Sequence, residues 1–325
     1  MISVAMCTYN GAKYLPEQLE SIANQIVPVD ELVVCDDGSN DDTIQVLRSF
    51  SEKLPFPVFI HQNEKNLGST KNFEKCLSLC KGDIIFFSDQ DDAWRTDKVQ
   101  KQIEYFDTHP NIDAVFSDAM MIDDDSNPTG RTIWQEIEFD DIAQNKWVSG
   151  EAHEILFKGF VVTGATLAIR KSALPRLMPF PTHIPDLIHD AYIAMILSLQ
   201  EKIEFISEPL VSYRIHARQQ VGFGAKVEHV RFRDRFFRDR NEKLLPLQER
   251  ADKLEQIYQL LMGIPLFPKD KLKNLLLAKE HYKKRAKLPK NRLVRVVPVV
   301  TDIVKGRYLF SSKHWWLPVF GDLFE

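Results

Sequence analysis

The run Ser88-Asp89-Gln90-Asp91-Asp92-Ala93-Trp94 places three carboxylates within four positions, directly after the apolar stretch Ile84-Ile85-Phe86-Phe87. Carboxylates packed this closely repel one another unless a cation sits among them. Hard oxygen donors at this density suit Mg²⁺ or Mn²⁺, above all when a substrate brings phosphates of its own. The preceding segment, Gly82 to Phe87, reads as a short buried strand, bounded by glycine and too short for a helix. In open α/β sheets, ligands bind at the carboxyl ends of such strands. A metal-assisted diphosphate site is one reading. An acidic loop capping a helix that starts near Arg95 is the other.

Two further loops have the same build. Cys7-Thr8-Tyr9-Asn10-Gly11 and Cys35-Asp36-Asp37-Gly38-Ser39 each end an apolar strand in polar side chains, then glycine, then a helix. Asp, Gly and Ser favour turns and helix N-caps in their own right. That explains one loop, but less well why two adjacent strands both stop in ligand-capable loops beside a third carrying Asp89 and Asp91. A carboxylate there could accept hydrogen bonds from a base or ribose, and Tyr9 could stack on the base.

The elements that must position these loops alternate. Strands are expected near 2–8, 31–36, 56–61, 82–87 and 112–118, with helices near 13–25, 42–52, 69–80 and 95–108. Such alternation calls for a mostly parallel sheet with helices on both faces, its strand ends gathered on one edge. From about 121 to 150 an acidic, turn-rich stretch holding Trp134 and Trp147 reads as an insertion over the site. Strand-like 160–169, a helix near 189–200 and two short strands at 203–206 and 209–215 follow. Beyond 226 the chain reads as helical and highly charged through Arg231–Arg235 to about 262, with a second helix near 269–287.

A chain of 325 residues, 44% hydrophobic and 27% charged, is an ordinary globular composition. Its net charge of −4 conceals a division. Residues 1–225 carry 19 Lys and Arg against 34 Asp and Glu, a balance of −15, whereas 226–325 carry 23 against 12, a balance of +11. A basic tail commonly meets an anionic surface. No apolar run approaches the roughly 18–20 residues of a membrane span. The opening Ile2-Ser3-Val4-Ala5-Met6-Cys7 reads as a strand, so a signal peptide is not expected. Cysteines at 7, 35, 76 and 80 read as free thiols in a reducing compartment, which fits the cytoplasm.

Taken in order, Cys-Thr-Tyr-Asn-Gly at 7–11, Asp-Asp-Gly-Ser at 36–39, Asn66-Leu67-Gly68 with Lys71-Asn72-Phe73, and Ser-Asp-Gln-Asp-Asp-x-Trp at 88–94 resemble inverting family 2 glycosyltransferases. The similarity is greatest to the rhamnosyltransferase-like bacterial members that build surface polysaccharides, and it covers roughly residues 2–222. It implies a GT-A fold, α/β and Rossmann-like with a helical C-terminal region, a nucleotide-sugar donor, and Mg²⁺ or Mn²⁺. It divides the chain into a catalytic domain at 1–225 and a basic region at 226–325. The catalytic domain would have a nucleotide-sugar half to about 118 and an acceptor half beyond. Thr8, Tyr9, Asn10, Asp37, Asn66 and Lys71 are implied on the nucleoside side of the donor. Asp89, Gln90 and Asp91 match the metal and donor motif, in which Asp89, Asp91 or Asp92 could touch the metal.

Thr163-Gly164-Ala165-Thr166 resembles the family's acceptor-side turn, alternatively a plain glycine-bearing strand turn. Trp94 is implied beside Gly164, Ala165 and Thr166 on the acceptor side. His189-Asp190 occupies the place of the family's catalytic acidic pair, usually Glu-Asp; the resemblance implies Asp190 as base and His189 as an acceptor contact. Asp190 could equally favour the helix N-terminus. In Tyr213-Arg214-x-His216, His216 could complete the metal shell, and Arg214 or Arg218 could offset phosphate charge. The Gln-x-x-Arg-Trp signature of processive synthases is absent, so single additions are expected. The expected reaction is transfer of a sugar, foremost L-rhamnose from dTDP-L-rhamnose and otherwise a UDP-hexose, to a glycan or polyprenyl-linked glycan hydroxyl. A sugar-phosphate nucleotidyltransferase and an inactive membrane scaffold are the alternatives. The basic tail could be solvated helices, a dimer contact, or a peripheral attachment to the inner face of the cell membrane. In the last case Lys283 to Arg295 would meet anionic headgroups, with Leu293–Val300, Tyr308-Leu309-Phe310 and Trp315-Trp316-Leu317 as anchors. No nucleic-acid module accompanies the charge.

Overall fold

In the computed structural model, which describes residues 1–217, 219, 240–264, 269–310 and 315–324, nine strands form one sheet. These are β1 (Ile2–Thr8), β2 (Glu31–Asp36), β3 (Val58–Gln62), β4 (Ile84–Ser88), β5 (Ala93–Trp94), β6 (Ala114–Ile122), β7 (Pro128–Thr132), β8 (Ala168–Arg170) and β9 (Ile203–Arg214). Their order is β3-β2-β1-β4-β8-β6-β9-β5, with β7 paired to β6. The chain divides into two compact units, Met1–Ala225 and Lys226–Glu325. Arg218, Gln220 to Gly222 and the run 231–235 lie outside the described residues.

The first half of the sheet follows the alternation of the sequence. β3, β2, β1 and β4 are all parallel, joined by α1 (Leu15–Ala23), α2 (Thr43–Ser51) and α3 (Ser69–Leu79). β2 and β4 are buried at every position, as expected of strands covered on both faces. The four cysteines gather here as free thiols: Cys7 faces Cys35 across β1 and β2, and Cys76 points its thiol at the Val33 carbonyl.

The second half is mixed. After α4 (Lys98–Thr108), β6 does not pair with β4. Instead β8, arriving more than forty residues later, enters antiparallel between them. β9 runs parallel to β6 as one strand of 12 residues, where two short ones were expected. The register shifts opposite Pro209, which pairs with Asp118. Proline cannot donate to a ladder, so a bulge is where a strand tolerates it.

The stretch after β6 reaches the cleft at Asp124, and the rest of it packs on the sheet. Trp134 and Trp147 are interior, and the ring of Phe116 on β6 lies 5.1 Å from Trp147, 5.8 Å from Trp134 and 6.1 Å from Phe205. Phe139 completes the cluster edge-on to both tryptophans. Asp118 adds a polar tie by accepting from the Trp134 N–H at 3.1 Å. Aromatic packing of this kind holds the segment against the sheet.

In the second unit, helices Arg240–Met262 and Lys273–Ala286 pack together, and Arg292–Val304 and Trp316–Phe324 close on Leu288, Val299 and Tyr308. Buried carboxylates tie them. Asp322 accepts from Arg285 Nε at 2.6 Å and the Tyr308 hydroxyl at 2.8 Å, and Asp302 accepts from Lys284 Nζ at 2.6 Å. Arg285, Arg295 and Tyr308, expected at a lipid surface, are therefore interior. Helix 292–304 itself was hidden in the sequence by Pro298 and the apolar run Val296–Val300 around it.

Truncating the fully buried Phe116 to Ala should cost about 3–5 kcal/mol of unfolding free energy. Denaturant titration followed by tryptophan fluorescence measures it; a loss below about 1 kcal/mol would contradict the packing described.

Candidate active site

The carboxyl ends of β1, β2 and β4 open into one cleft of about 920 Å³ in the first unit. Side-chain acceptors lace its loops together. Asp36 receives the Thr8 hydroxyl at 2.9 Å and the Ser39 N–H at 2.9 Å, joining the loops after β1 and β2. Asp37 receives the N–H groups of Leu67 and Gly68 at 2.7 and 2.9 Å and the Asn63 amide at 2.8 Å. A carboxylate offers about four acceptor positions, so Asp37, which lines the cleft, retains capacity for a ligand. Thr8, Tyr9 and Asn10 line the cleft too. Asn10 sits at φ 50 and takes the Asn40 N–H on its side-chain oxygen.

Two residues expected on the donor side do not reach this cleft. Asn66 reaches across to the loop after β2, donating to the Asp37 carbonyl at 3.2 Å. Lys71 is drawn to Glu74 one turn along α3, at 2.8 Å. The next residue, Asn72, faces the cleft instead and braces it by donating to the Cys35 carbonyl at 2.7 Å. Helical periodicity, not residue type, carries that distinction.

The acidic run divides its members. Gln90 clamps the Tyr9 backbone through both amide atoms, at 2.8 and 3.0 Å. Any side chain at Gly11 would collide with that amide. Asp89 and Asp91 line the cleft, whereas Asp92 is fully buried away from it and accepts from the Arg214 N–H at 2.9 Å. Burial, with the nearby Asp91 and Asp190 charges, pushes the Asp89 carboxyl up to about 8. Burial likewise raises Asp92, and it lowers the enclosed Lys98 ammonium to about 7. His216 meets Asp91 at 2.8 Å and leans on the Tyr14 ring at 4.8 Å.

Arg214, expected on the diphosphate, is committed elsewhere. Its guanidinium donates to the Asp91 carbonyl at 2.7 Å, to Ser126 at 2.9 Å and to Glu17 at 2.5 Å, with its side chain 1% exposed. It braces the acidic loop from behind. Among the described residues, the only Lys or Arg lining the cleft is Lys13, which is bonded to Asp124 at 2.7 Å. Lys13, Tyr14 and Asp124 form a rim that sequence reasoning missed, since Asp124 joins Lys13 across more than a hundred residues.

Across the cleft, where the acceptor was expected, the helix His189–Leu199 is buried along its whole length and brings its N-terminus to the cleft. Asp190 lies there, accepting from the Gly164 N–H at 2.9 Å and from the Ala191 N–H at 2.6 Å. A side chain at Gly164 would stand 3.2 Å from His189 Nε2 and 3.3 Å from Asp190 Oδ2, so the glycine keeps that carboxylate open. Ala165 and Thr166, expected beside it, turn into the core. Trp94 is interior as well: it covers Lys98 at 4.1 Å and lies 5.9 Å from the Phe86 ring, tilted by 46° to it. His189 lines the cleft, stacked 4.2 Å from Phe73, and neither ring nitrogen has a hydrogen-bond partner. Burial depresses its pKa, so the ring is neutral at pH 7.

Among the described residues no three His, Cys, Asp or Glu side chains form a ready metal cage. Asp91 and His216 meet, with Asp89 close enough to feel the Asp91 charge. An open oxygen and imidazole set of this kind is compatible with Mg²⁺ or Mn²⁺, which keep waters and take oxygens from a bound phosphate.

Solved structures with this fold include TarS (residues 1–349) of Staphylococcus aureus in complex with UDP, at a TM-score of 0.58 and 17% identity over 99% of this chain and 88% of that one. Another is the mannosyltransferase PcManGT of Pyrobaculum calidifontis with GDP-Man and Mn²⁺, at a TM-score of 0.55 and 18% identity over 99% and 84%. Among sequences, an uncharacterized glycosyltransferase of Methanocaldococcus jannaschii is 28% identical over 220 residues, 67% of this chain and 72% of its own length. The chondroitin synthase of Escherichia coli is 32% identical over 127 residues, 39% of this chain but 18% of that protein. The chain spans 59% of the length of its mycobacterial relatives. Residues 3–177 match the family Glycosyl transferase family 2, and the chain belongs to that family.

Proposed function

We propose that this chain transfers a sugar from a nucleotide-sugar donor to an acceptor hydroxyl, with inversion and with the help of Mg²⁺ or Mn²⁺. The observation that carries the proposal is that Asp89, Asp91 and His216 line the same cleft as Asp190. Thr8, Tyr9, Asn10 and Asp37 serve the nucleoside. The cation, held by Asp91, His216 and Asp89, would neutralise the departing diphosphate as a Lewis acid. That need is acute, because among the described residues the cleft offers a diphosphate little else of positive charge.

Asp190 acts as the base. Each of its oxygens holds one backbone N–H and keeps an acceptor site, so the carboxylate is oriented but not used up. It takes the proton of the acceptor hydroxyl as that oxygen bonds to the anomeric carbon. The bond from that carbon to the diphosphate breaks, the electron pair leaves with the diphosphate, and configuration inverts. His189, neutral and with both nitrogens open, contacts the acceptor. dTDP-L-rhamnose is the first donor to test, followed by UDP-hexoses; TarS has been seen with UDP-GlcNAc and PcManGT with GDP-Man. The acceptor is a glycan or polyprenyl-linked glycan, receiving one sugar per encounter at the inner face of the cell membrane.

Nucleoside diphosphate release from a donor panel tests the class directly. Within it, Asp190→Asn should lower kcat by about 10²–10⁴-fold while donor binding persists. A loss below about tenfold would remove Asp190 from the base role.

The cation should compete with a proton. Asp89 carries its proton below about pH 8 and must release it to ligate. Apparent Mn²⁺ affinity should therefore rise by about tenfold per pH unit up to about pH 8 and level off above, with proton release visible by calorimetry in buffers of different ionisation enthalpy. An affinity independent of pH would rule out ligation by Asp89.

His189→Gln should raise the acceptor KM by about tenfold, the worth of one hydrogen bond, and leave acceptor-free donor hydrolysis unchanged. An unchanged KM would free His189 of that role.

A further inference from the structure

Helix Arg292–Val304 is amphipathic in the reverse sense. Leu293, Val297 and Val304 face outward at 82%, 72% and 81% exposure, and Val300 joins them at helical spacing. The inward side carries the charges, Arg295 and Asp302, both buried. Arg295 donates to the carbonyls of Pro289 and Lys290 at 2.5 and 3.0 Å, and Asp302 binds His281 at 2.9 Å. These bonds fix the rotation of the helix, so the valines cannot turn inward without stranding buried charge.

Charge identifies what covers that face. From residue 281 to residue 310 there are nine Lys and Arg against a single acid, Asp302, which is interior. Lys283, Lys287, Lys290, Arg292 and Lys305 are exposed. A cleft of about 450 Å³ beside Pro298 is lined by Lys283, Lys284, Lys287 and Arg307. Trp315 and Trp316, about half exposed, are of the type that settles at a water–lipid boundary. A second copy on this face would bring like charges together, whereas phospholipid phosphates would neutralise them.

We propose that helix Arg292–Val304 docks in the plane of an anionic phospholipid bilayer, with its valines in the acyl boundary and the neighbouring lysines on headgroup phosphates. No helix among the described residues is long and apolar enough to cross a membrane, so the contact is interfacial. The proposal does not rest on the sugar-transfer chemistry.

The full chain should co-sediment with phosphatidylglycerol-rich vesicles at low salt, and far less with pure phosphatidylcholine. Val297→Asp combined with Val304→Asp should weaken binding at least about tenfold, and Lys283→Ala with Lys287→Ala about fivefold per residue. Because all four side chains face outward or are half-exposed, thermal melting should be unchanged. Absence of sedimentation with anionic vesicles, or binding indifferent to the aspartate pair, would overturn the proposal. A concentration-dependent dimer that the aspartate pair dissolves would also overturn it and assign the face to a second copy.

Discussion

Backbone N–H groups that leave a sheet edge must find acceptors, and a loop edge that is also buried cannot leave them to water. In this protein side chains supply those acceptors at nearly every junction. Asp36 and Asp37 take N–H groups from their own loop and from the loop after β3, Asp92 takes that of Arg214, and Asp190 takes that of Gly164. Gln90 does the same for Tyr9 and returns a bond to its carbonyl. The loops that line the cleft are thus held by carboxylates and amides, and rigid positioning follows from them.

The same device loads the cleft with negative charge. Asp37, Asp89, Asp91, Asp124 and Asp190 all line it. Both oxygens of Asp37 accept N–H groups, those of Leu67 and Gly68, whereas burial and the neighbouring charges push the Asp89 carboxyl up to about 8. One set of acids is satisfied by the backbone, and another is left wanting a counter-charge. That contrast separates the acids that build the edge from those open to chemistry.

Much of this was legible in the sequence, because it depends on local order. Strands β1, β2 and β4 and helices α1 to α4 follow from alternation and glycine punctuation, and they deliver Asp89 and Asp91 to the cleft, where helix His189–Leu199 and the end of β9 add Asp190 and His216. What escaped depends on direction. Arg214, Lys71 and Trp94 are residue types suited to phosphate or sugar, yet each points away from the cleft, toward Glu17, Glu74 and Lys98. Sequence motifs specify the residue but not its rotamer, and one step along a helix or strand exchanges cleft for core. The insertion of β8 between β4 and β6 is a long-range pairing that no local pattern announces.

That insertion has a consequence for how such proteins can change. β8 is the seam of the sheet: its three residues pair with β4 on one side and two of them with β6 on the other. A chain ending after β6 would expose the full edge of β4, and the partner of β6 would be missing as well. The parts of the first unit on either side of β8 therefore cannot be recombined as interchangeable cassettes. New specificity in this architecture is left to the loops around that seam.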